Sequence, residues 1–219
     1  MITCGIASIP SRVDCLKKTI DSIKDQVNLI CVVLNGYTYT PEFLNDVDNL
    51  IYSYGDNSQG DAMKFQMAEY TSGYYMTLDD DLEAEQGYVA YLISKVNEYN
   101  GLVSLHGKHY TPPVTSFKQW DANYRCLDEV KGDHTVNLIG SGCCMFKTSR
   151  LKVKLSDFTL PNMADVFLSK LATEQGVPMM AVDHAKGRYL NYLYPKGSTI
   201  WQDTKDYSKH IEIMNTFIK

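Results

Sequence analysis

The chain lacks any apolar run long enough to cross a bilayer, and Met1-Ile2-Thr3 leads straight into a β-prone stretch rather than a secretory leader. A cytoplasmic protein is therefore expected. Its six cysteines include no CxxC pair, and several lie in apolar runs where a thiol acts as a small hydrophobe, so they are read as reduced and structural rather than as a zinc or disulfide framework. Basic residues are not in excess: 21 Lys and Arg stand against 26 Asp and Glu, a formal charge of -5. That balance gives no global attraction for nucleic acid and leaves open only a local basic groove. There is no internal repeat, no low-complexity tract and no linker rich in Gly, Ser or Pro. The 219 residues are accordingly expected to form one domain. A Gly-rich triphosphate loop is also missing, which weighs against a metal-dependent nucleotidyltransferase.

What is present is an alternation of strand and helix signals. Ile2 to Ile9 is apolar and β-prone and breaks at Pro10-Ser11-Arg12, after which Val13, Leu16, Ile20 and Ile23 recur at helical spacing. Leu29 to Leu34 is a second short run ended by Asn35-Gly36, so the first unit reads β-α-β with parallel strands. Leu50 to Tyr54 offers a third strand. The spacing from Gly60 through Ala62, Phe65, Met67 and Ala68 predicts a helix, followed by the strand Tyr74 to Leu78. Helix from about Gly87 to Tyr99, strand at Leu102 to Leu105, an irregular stretch through Pro112-Pro113 and Trp120, and a strand near Val136 to Ile139 come next. Helix from about Met163 to Gln175 and strand Val177 to Val182 complete the series. This pattern argues for an α/β sheet covered on both faces, with ligands bound beyond the carboxyl ends of its strands.

Three consecutive aspartates, Asp79-Asp80-Asp81, directly follow the strand ending at Leu78. They repel one another unless a cation or hydrogen-bond donors compensate them, and hard oxygen ligands suit Mg²⁺ or Mn²⁺ with positions left for phosphate. In an extended segment alternate residues point the same way, so Asp79 and Asp81 would share one task while Asp80 faces elsewhere. Taken alone the cluster is equally an acidic turn or a helix N-terminus.

The stretch Gly60-Asp61-Ala62-Met63-Lys64-Phe65 followed by Gly73-Tyr74-Tyr75-Met76-Thr77-Leu78-Asp79-Asp80-Asp81 resembles a segment of the family-2-like glycosyltransferases that bacteria and phages use in surface-polysaccharide synthesis. Val32-Val33-Leu34-Asn35-Gly36-Tyr37, Leu105-His106-Gly107, Ile139-Gly140-Ser141-Gly142 and Pro161-Asn162-Met163-Ala164-Asp165 with Gly176-Val177-Pro178 are similar to further segments of that family, in the same order. The chain departs from the pattern at Leu82-Glu83-Ala84-Glu85, after the acidic cluster, and at Leu34, where many members carry aspartate.

The resemblance implies an α/β GT-A fold: a Rossmann-like nucleotide-binding half over about 1–81, an acceptor half over about 82–219 with a C-terminal active-site loop, and a mixed central sheet flanked by helices. It implies a metal-dependent, inverting enzyme in a bacterial or phage-infected cell, moving a sugar from a nucleoside-diphosphate sugar, a uridine one by analogy, to a hydroxyl of a glycan, lipid or protein-linked acceptor. Ile9, Pro10 and Arg12 would border base and ribose, and Asn35 and Asp56 would lie near the base. Asp56 and Asn57 can exchange hydrogen bonds with base edge and ribose hydroxyls, and Arg12 or Lys64 can face phosphate. Asp79, with Asp80 beside it, would approach the ribose, and Asp81 would ligate Mn²⁺ or Mg²⁺, with Asp79 and His184 as further metal candidates. A lone histidine is commonly structural, and both roles stay open for His184. Lys186, Arg188 and Lys196, with Ser198 and Trp201, would fold over the pyrophosphate or form a solvated tail. Asp165 would be the general base, a helix cap being the alternative, with Gly140-Ser141-Gly142 and His106-Gly107 lining the same cleft. Two other functions compete: a DNA glycosyltransferase acting on a hydroxymethylated base, with Tyr110, Trp120 and Tyr124 as stacking candidates, and a nucleotide-sugar-binding domain without turnover.

Overall fold

The computed structural model describes residues 1–195 and 200–219, with Trp201 described by its backbone alone. The first apolar run forms β1 (Ile2–Ser8). Pro10 cannot continue the strand ladder and heads a 3₁₀ turn, Pro10–Arg12, that runs into α1 (Val13–Ile23). Helical spacing gathers Cys15, Leu16, Thr19, Ile20 and Ile23 on its buried face. β2 (Leu29–Asn35) returns parallel to β1, and β3 (Leu50–Gly55) lies parallel to β2. β4 (Tyr74–Thr77) pairs parallel on the other side of β1. The expected β-α-β unit is thus present, and the carboxyl ends of β1, β2 and β4 open at one edge of the sheet, where ligands of α/β folds collect.

The second part of the chain contributes β5 (Leu82–Ala84), α2 (Tyr88–Tyr99), β6 (Leu102–Ser104), β7 (Gly107–His109), β8 (Ala122–Tyr124), β9 (His134–Thr135), β10 (Leu138–Ile139) and β11 (Cys144–Lys147). It continues with α3 (Ala164–Glu174), β12 (Met179–Ala181), β13 (Leu190–Tyr192), α4 (Ile200–Asp203) and α5 (Ser208–Phe217). Strands from both parts join in one eight-stranded sheet of order β3-β2-β1-β4-β11-β6-β12-β9. It is mixed, because β11 runs antiparallel to β4 and β6, and β9 antiparallel to β12. β10-β7-β8 form a small second sheet, and β13 pairs with β5.

Both faces of the large sheet are buried, as the continuous apolar strands require. Successive side chains sort to opposite sides. Tyr75, Leu102, Phe146 and Met179 pack with Phe167 and Leu168 of α3 and with Met214 and Phe217 of α5. Their neighbours Met76, Val103, Met145 and Met180 pack with Leu16 and Ile20 of α1 and Leu92 and Val96 of α2. Among the described residues no helix is long and apolar enough to cross a membrane, and all six cysteines are free thiols, five of them buried.

Two local expectations are corrected. Gly60 to Ala68 forms 3₁₀ turns, Gly60–Phe65 and Ala68–Tyr70, instead of a helix. The Lys64 carbonyl, which a helix would use internally, accepts the Tyr75 hydroxyl at 2.7 Å, and the turn presses so closely on β1 that a Cβ at Gly5 would lie 2.0 Å from that oxygen. The Val136 to Ile139 run is divided between sheets, since the Val136 amide donates to Met179 and the Asn137 amide to Lys108. Beyond the predicted elements the C-terminal segment adds α4 and α5, and the apolar face of α5 completes the core.

Candidate active site

β4 ends at Thr77 and the chain turns, the Leu82 amide donating to the Asp79 carbonyl at 3.1 Å. The three carboxylates therefore do not alternate as an extended segment would direct them. Asp79 Oδ1 accepts Lys64 Nζ at 2.7 Å. Asp80 and Asp81 share Arg12, whose Nη1 donates at 2.9 Å to Asp80 Oδ1 and at 3.1 Å to Asp81 Oδ2. One cation comes from the loop after β1 and the other from the turn before β4.

These two cations do not compensate the cluster fully. Burial raises the Asp80 carboxyl even against Arg12, and burial together with Asp79 and Asp80 raises Asp81. Asp80 Oδ2 is enclosed with no hydrogen-bond partner. Negative charge in excess, on hard oxygen atoms at the mouth of a cleft, fits a divalent cation. Among the described residues no three His, Cys, Asp or Glu side chains converge as a ready ligand set, so Asp81 and its neighbours would supply one or two ligands and leave the rest to phosphate and water.

Asp165 lies in the first turn of α3, yet its side chain does not cap the helix. Its Oδ1 accepts both the amide and the hydroxyl of Ser141, at 2.8 and 2.6 Å. Beside it, the Gly142 carbonyl accepts the Asp79 amide at 2.8 Å, and a Cβ at Gly142 would fall 2.1 Å from Asp79 Oδ2. The Gly140-Ser141-Gly142 segment thus joins Asp165 to the acidic cluster and needs glycine so that Asp79 can approach. His106 stands behind Gly140, its carbonyl accepting the Gly140 amide, and burial lowers its imidazole to about 4, so it is neutral at neutral pH.

Ile9, Arg12, Asn35, Lys64, the three aspartates and Asp165 line one cleft of about 480 Å³. Asn35, at the end of β2 and 2 % exposed, donates from Nδ2 to the Gly60 carbonyl at 3.1 Å and leaves Oδ1 without a partner. Pro10 and Asp56 are not in the cleft wall. Pro10 is exposed on its turn, and Asp56 accepts the Ser58 amide at 2.9 Å in a local turn, while Asn57 supplies the side chain that reaches the cleft. His184 is also outside it: it is 3 % exposed, and its Nδ1 and Nε2 face the carbonyls of Val182 and Arg125 at 2.8 and 3.3 Å. Buried outside the cleft with its ring against backbone carbonyls, His184 is not placed as a metal ligand. Lys186 and Arg188 are exposed and do not line the cleft. Lys196 and Ser198 lie outside the described residues, as does the side chain of Trp201.

The cleft also contains residues that the sequence reading assigned no role. Asp61 sat inside a motif quoted above without being singled out. Tyr207 and His210 of the C-terminal segment were given no reading. They form a wall with Phe117, whose ring stacks on Tyr207 with centroids 4.6 Å apart and meets His210 edge-on at 4.9 Å. Among the described residues eight buried side-chain polar atoms lack a partner, and four of them, Asn35 Oδ1, Asp61 Oδ1, Asp80 Oδ2 and His210 Nδ1, belong to side chains of this cleft. Buried polar atoms are nearly always satisfied in folded proteins, so their concentration here marks a surface built for a polar ligand.

No family model matches the sequence, and no curated protein matches it. Solved structures do. Residues 1–349 of S. aureus TarS in complex with UDP-GlcNAc superpose with a TM-score of 0.63 at 14% identity, covering 99% of this chain and 65% of that one. The UDP complex of the same TarS fragment gives a TM-score of 0.56 at 13% identity over 86% of this chain and 59% of that one. The chain therefore spans about two thirds or less of the length of the TarS fragment it matches. Its mixed eight-stranded sheet flanked by helices shares the fold of these structures, which is the GT-A-like architecture expected above.

Proposed function

We propose that this chain is a glycosyltransferase that moves a sugar from a nucleoside-diphosphate sugar to an acceptor hydroxyl, with inversion and with a divalent cation. The observation that carries the proposal is that Asp79-Asp80-Asp81 and Asp165 line the same cleft, beyond the carboxyl ends of β1, β2 and β4. The fold supports it, since the matched TarS structures are complexes with UDP-GlcNAc and UDP.

In this reading Asn35 Oδ1, enclosed and unpartnered, accepts an N–H of the base, which suits uracil, and its orientation is held by Gly60. Asn57 and Ile9 flank the nucleoside, and Asp79 faces the ribose. Mn²⁺ or Mg²⁺ would be held at Asp81 with Asp79 or Asp80, and when bound supplies the positive charge that a departing nucleoside diphosphate needs. Lys64 orients Asp79, and Arg12 holds Asp80 and Asp81 together on one nitrogen, while that site is filled. Asp165, fixed by Ser141, takes the proton of the acceptor hydroxyl as it attacks the anomeric carbon from the face opposite the leaving group. The acceptor is a glycan hydroxyl on this reading, and the activity belongs to the reducing cytoplasm, with six free thiols in support.

The test is a thermal-shift and calorimetric screen of UDP and UDP-sugars with Mn²⁺ or with EDTA, since a ligand that binds only the folded state raises its melting temperature by mass action. Stabilisation is expected in Mn²⁺, and its metal dependence is expected to vanish in Asp81→Ala. Equal stabilisation by UDP in EDTA would remove the metal from the proposal, and no response to any nucleotide would remove the donor.

A further inference from the structure

Asp61 has no part in the scheme above. It stands in the Gly60–Phe65 turn with its side chain in the cleft wall, and its Oδ1 is enclosed without a partner. The charges acting on it are Lys64, Asp165 and Asp79, and the amide of Ala164 at the start of α3 also reaches it. Lys64 bonds Asp79 at 2.7 Å, so the cation that offsets Asp61 is shared with a second carboxylate. Asp61 lines the same cleft wall as Asp79, assigned to the nucleotide, and Asp165, assigned to the acceptor. The group transferred between those two ends is the sugar. A carboxylate there accepts hydroxyl hydrogens and repels anions, and the soft torsion at the end of an aspartate lets it present either oxygen.

We infer that Asp61 selects the transferred sugar, accepting a hydroxyl of a neutral hexose and excluding donors whose sugar carries a carboxylate. This inference rests on the glycosyltransferase reading. An Asp61 that served only to receive the Ala164 amide would leave the choice among sugars untouched.

The experiment measures dissociation constants of UDP, UDP-glucose, UDP-GlcNAc and UDP-glucuronate in Mn²⁺ by calorimetry, for the full chain and for Asp61→Asn and Asp61→Ser. The serine variant retains an acceptor for Ala164 and serves if the asparagine variant does not fold. The native chain is expected to bind the better neutral UDP-sugar at least about tenfold more tightly than UDP-glucuronate, as a site with a placed hydroxyl acceptor and a like charge does. In the variants UDP is expected to stay within about threefold, the neutral sugar to lose about tenfold, and the gap to UDP-glucuronate to narrow. Variants that bind UDP normally and keep the native ratio of neutral to acidic donor overturn the role of Asp61 and leave the glycosyltransferase reading standing. A native chain that binds neither UDP nor any of the sugars overturns both.

Discussion

Lys64 and Asp79 meet at 2.7 Å across a boundary of exposure, the lysine side chain 3% and the aspartate side chain 43% exposed. Burial alone would push the ammonium toward neutrality, but Asp79 and Asp61 outweigh it and hold the lysine above its ordinary value. The pair therefore fixes the first carboxylate of the cluster at the wall of the cleft and leaves Asp80 and Asp81 to Arg12. Lys64→Met should remove the cation that Asp61 and Asp79 share, with a loss of about 1–3 kcal/mol in stability and a weakening of UDP binding in Mn²⁺ of about tenfold. Lys64→Arg should restore most of the binding. Native UDP affinity in the folded methionine variant would show that the pair has no part in holding the donor.

Asp61 gives the molecule a pH-dependent cost. Burial, with Asp165 and Asp79 adding to it, raises its carboxyl to about 6, while an unfolded chain leaves aspartate at about 3.9. A folded value above the unfolded one means that the protonated side chain favours folding, a contribution present below about pH 4 and lost as the pH rises through about 6. Asp61→Asn should therefore melt higher than the native chain near pH 8 in metal-free buffer, and the difference should shrink near pH 4. Scanning calorimetry at the two pH values measures it. A pH-independent difference would show that Asp61 does not titrate in the folded protein.

Asp165→Asn is a clean probe of proton transfer, because an asparagine Oδ1 can still accept the Ser141 amide and hydroxyl that hold the native side chain. It cannot take a proton from an acceptor. Sugar transfer should fall by about a hundredfold or more, with donor affinity and melting temperature nearly unchanged. The anomeric configuration of the product, read by NMR, should be inverted relative to an α-linked donor. Near-native transfer by the variant, or retained configuration, would remove Asp165 as the base.

His184→Ala should destabilise the fold by about 1–3 kcal/mol, because it opens a cavity and removes the hydrogen bond that the buried ring donates to a backbone carbonyl. Its affinity for Mn²⁺ in the presence of UDP should stay native. A titration of the folded variant that shows weakened metal binding with unchanged stability would return His184 to the metal set.

Much of the frame was legible in the residues themselves. The apolar runs of β1 and β2, the helical pattern of α1, and the acidic run immediately after an apolar strand depend on neighbours within a few positions, and local sterics and burial act on those directly. The same is true of Asp165 at the start of α3. Where a local pattern met a tertiary contact, the contact won: the Gly60 to Ala68 periodicity gave way to 3₁₀ turns, in which Tyr75 takes the Lys64 carbonyl and the turn packs directly on β1 at Gly5. Asp56 and Asn57 illustrate a finer limit, since adjacent residues of like chemistry divide the roles of turn former and cleft wall according to which one the backbone points inward.

The sequence by itself determined the α/β alternation, the strand ends and the position of the acidic run, because each follows from interactions along a few consecutive residues. Only the tertiary structure decided that Arg12 meets Asp80 and Asp81, 68 and 69 positions away, that Lys64 meets Asp79, and that Ser141 holds Asp165 from 24 positions upstream. It also turned His184 inward and set Asp61 in the cleft. Those partners are chosen by which loops the packed sheet brings to one edge and by which charges burial forces together, and neither is written in the spacing of the chain.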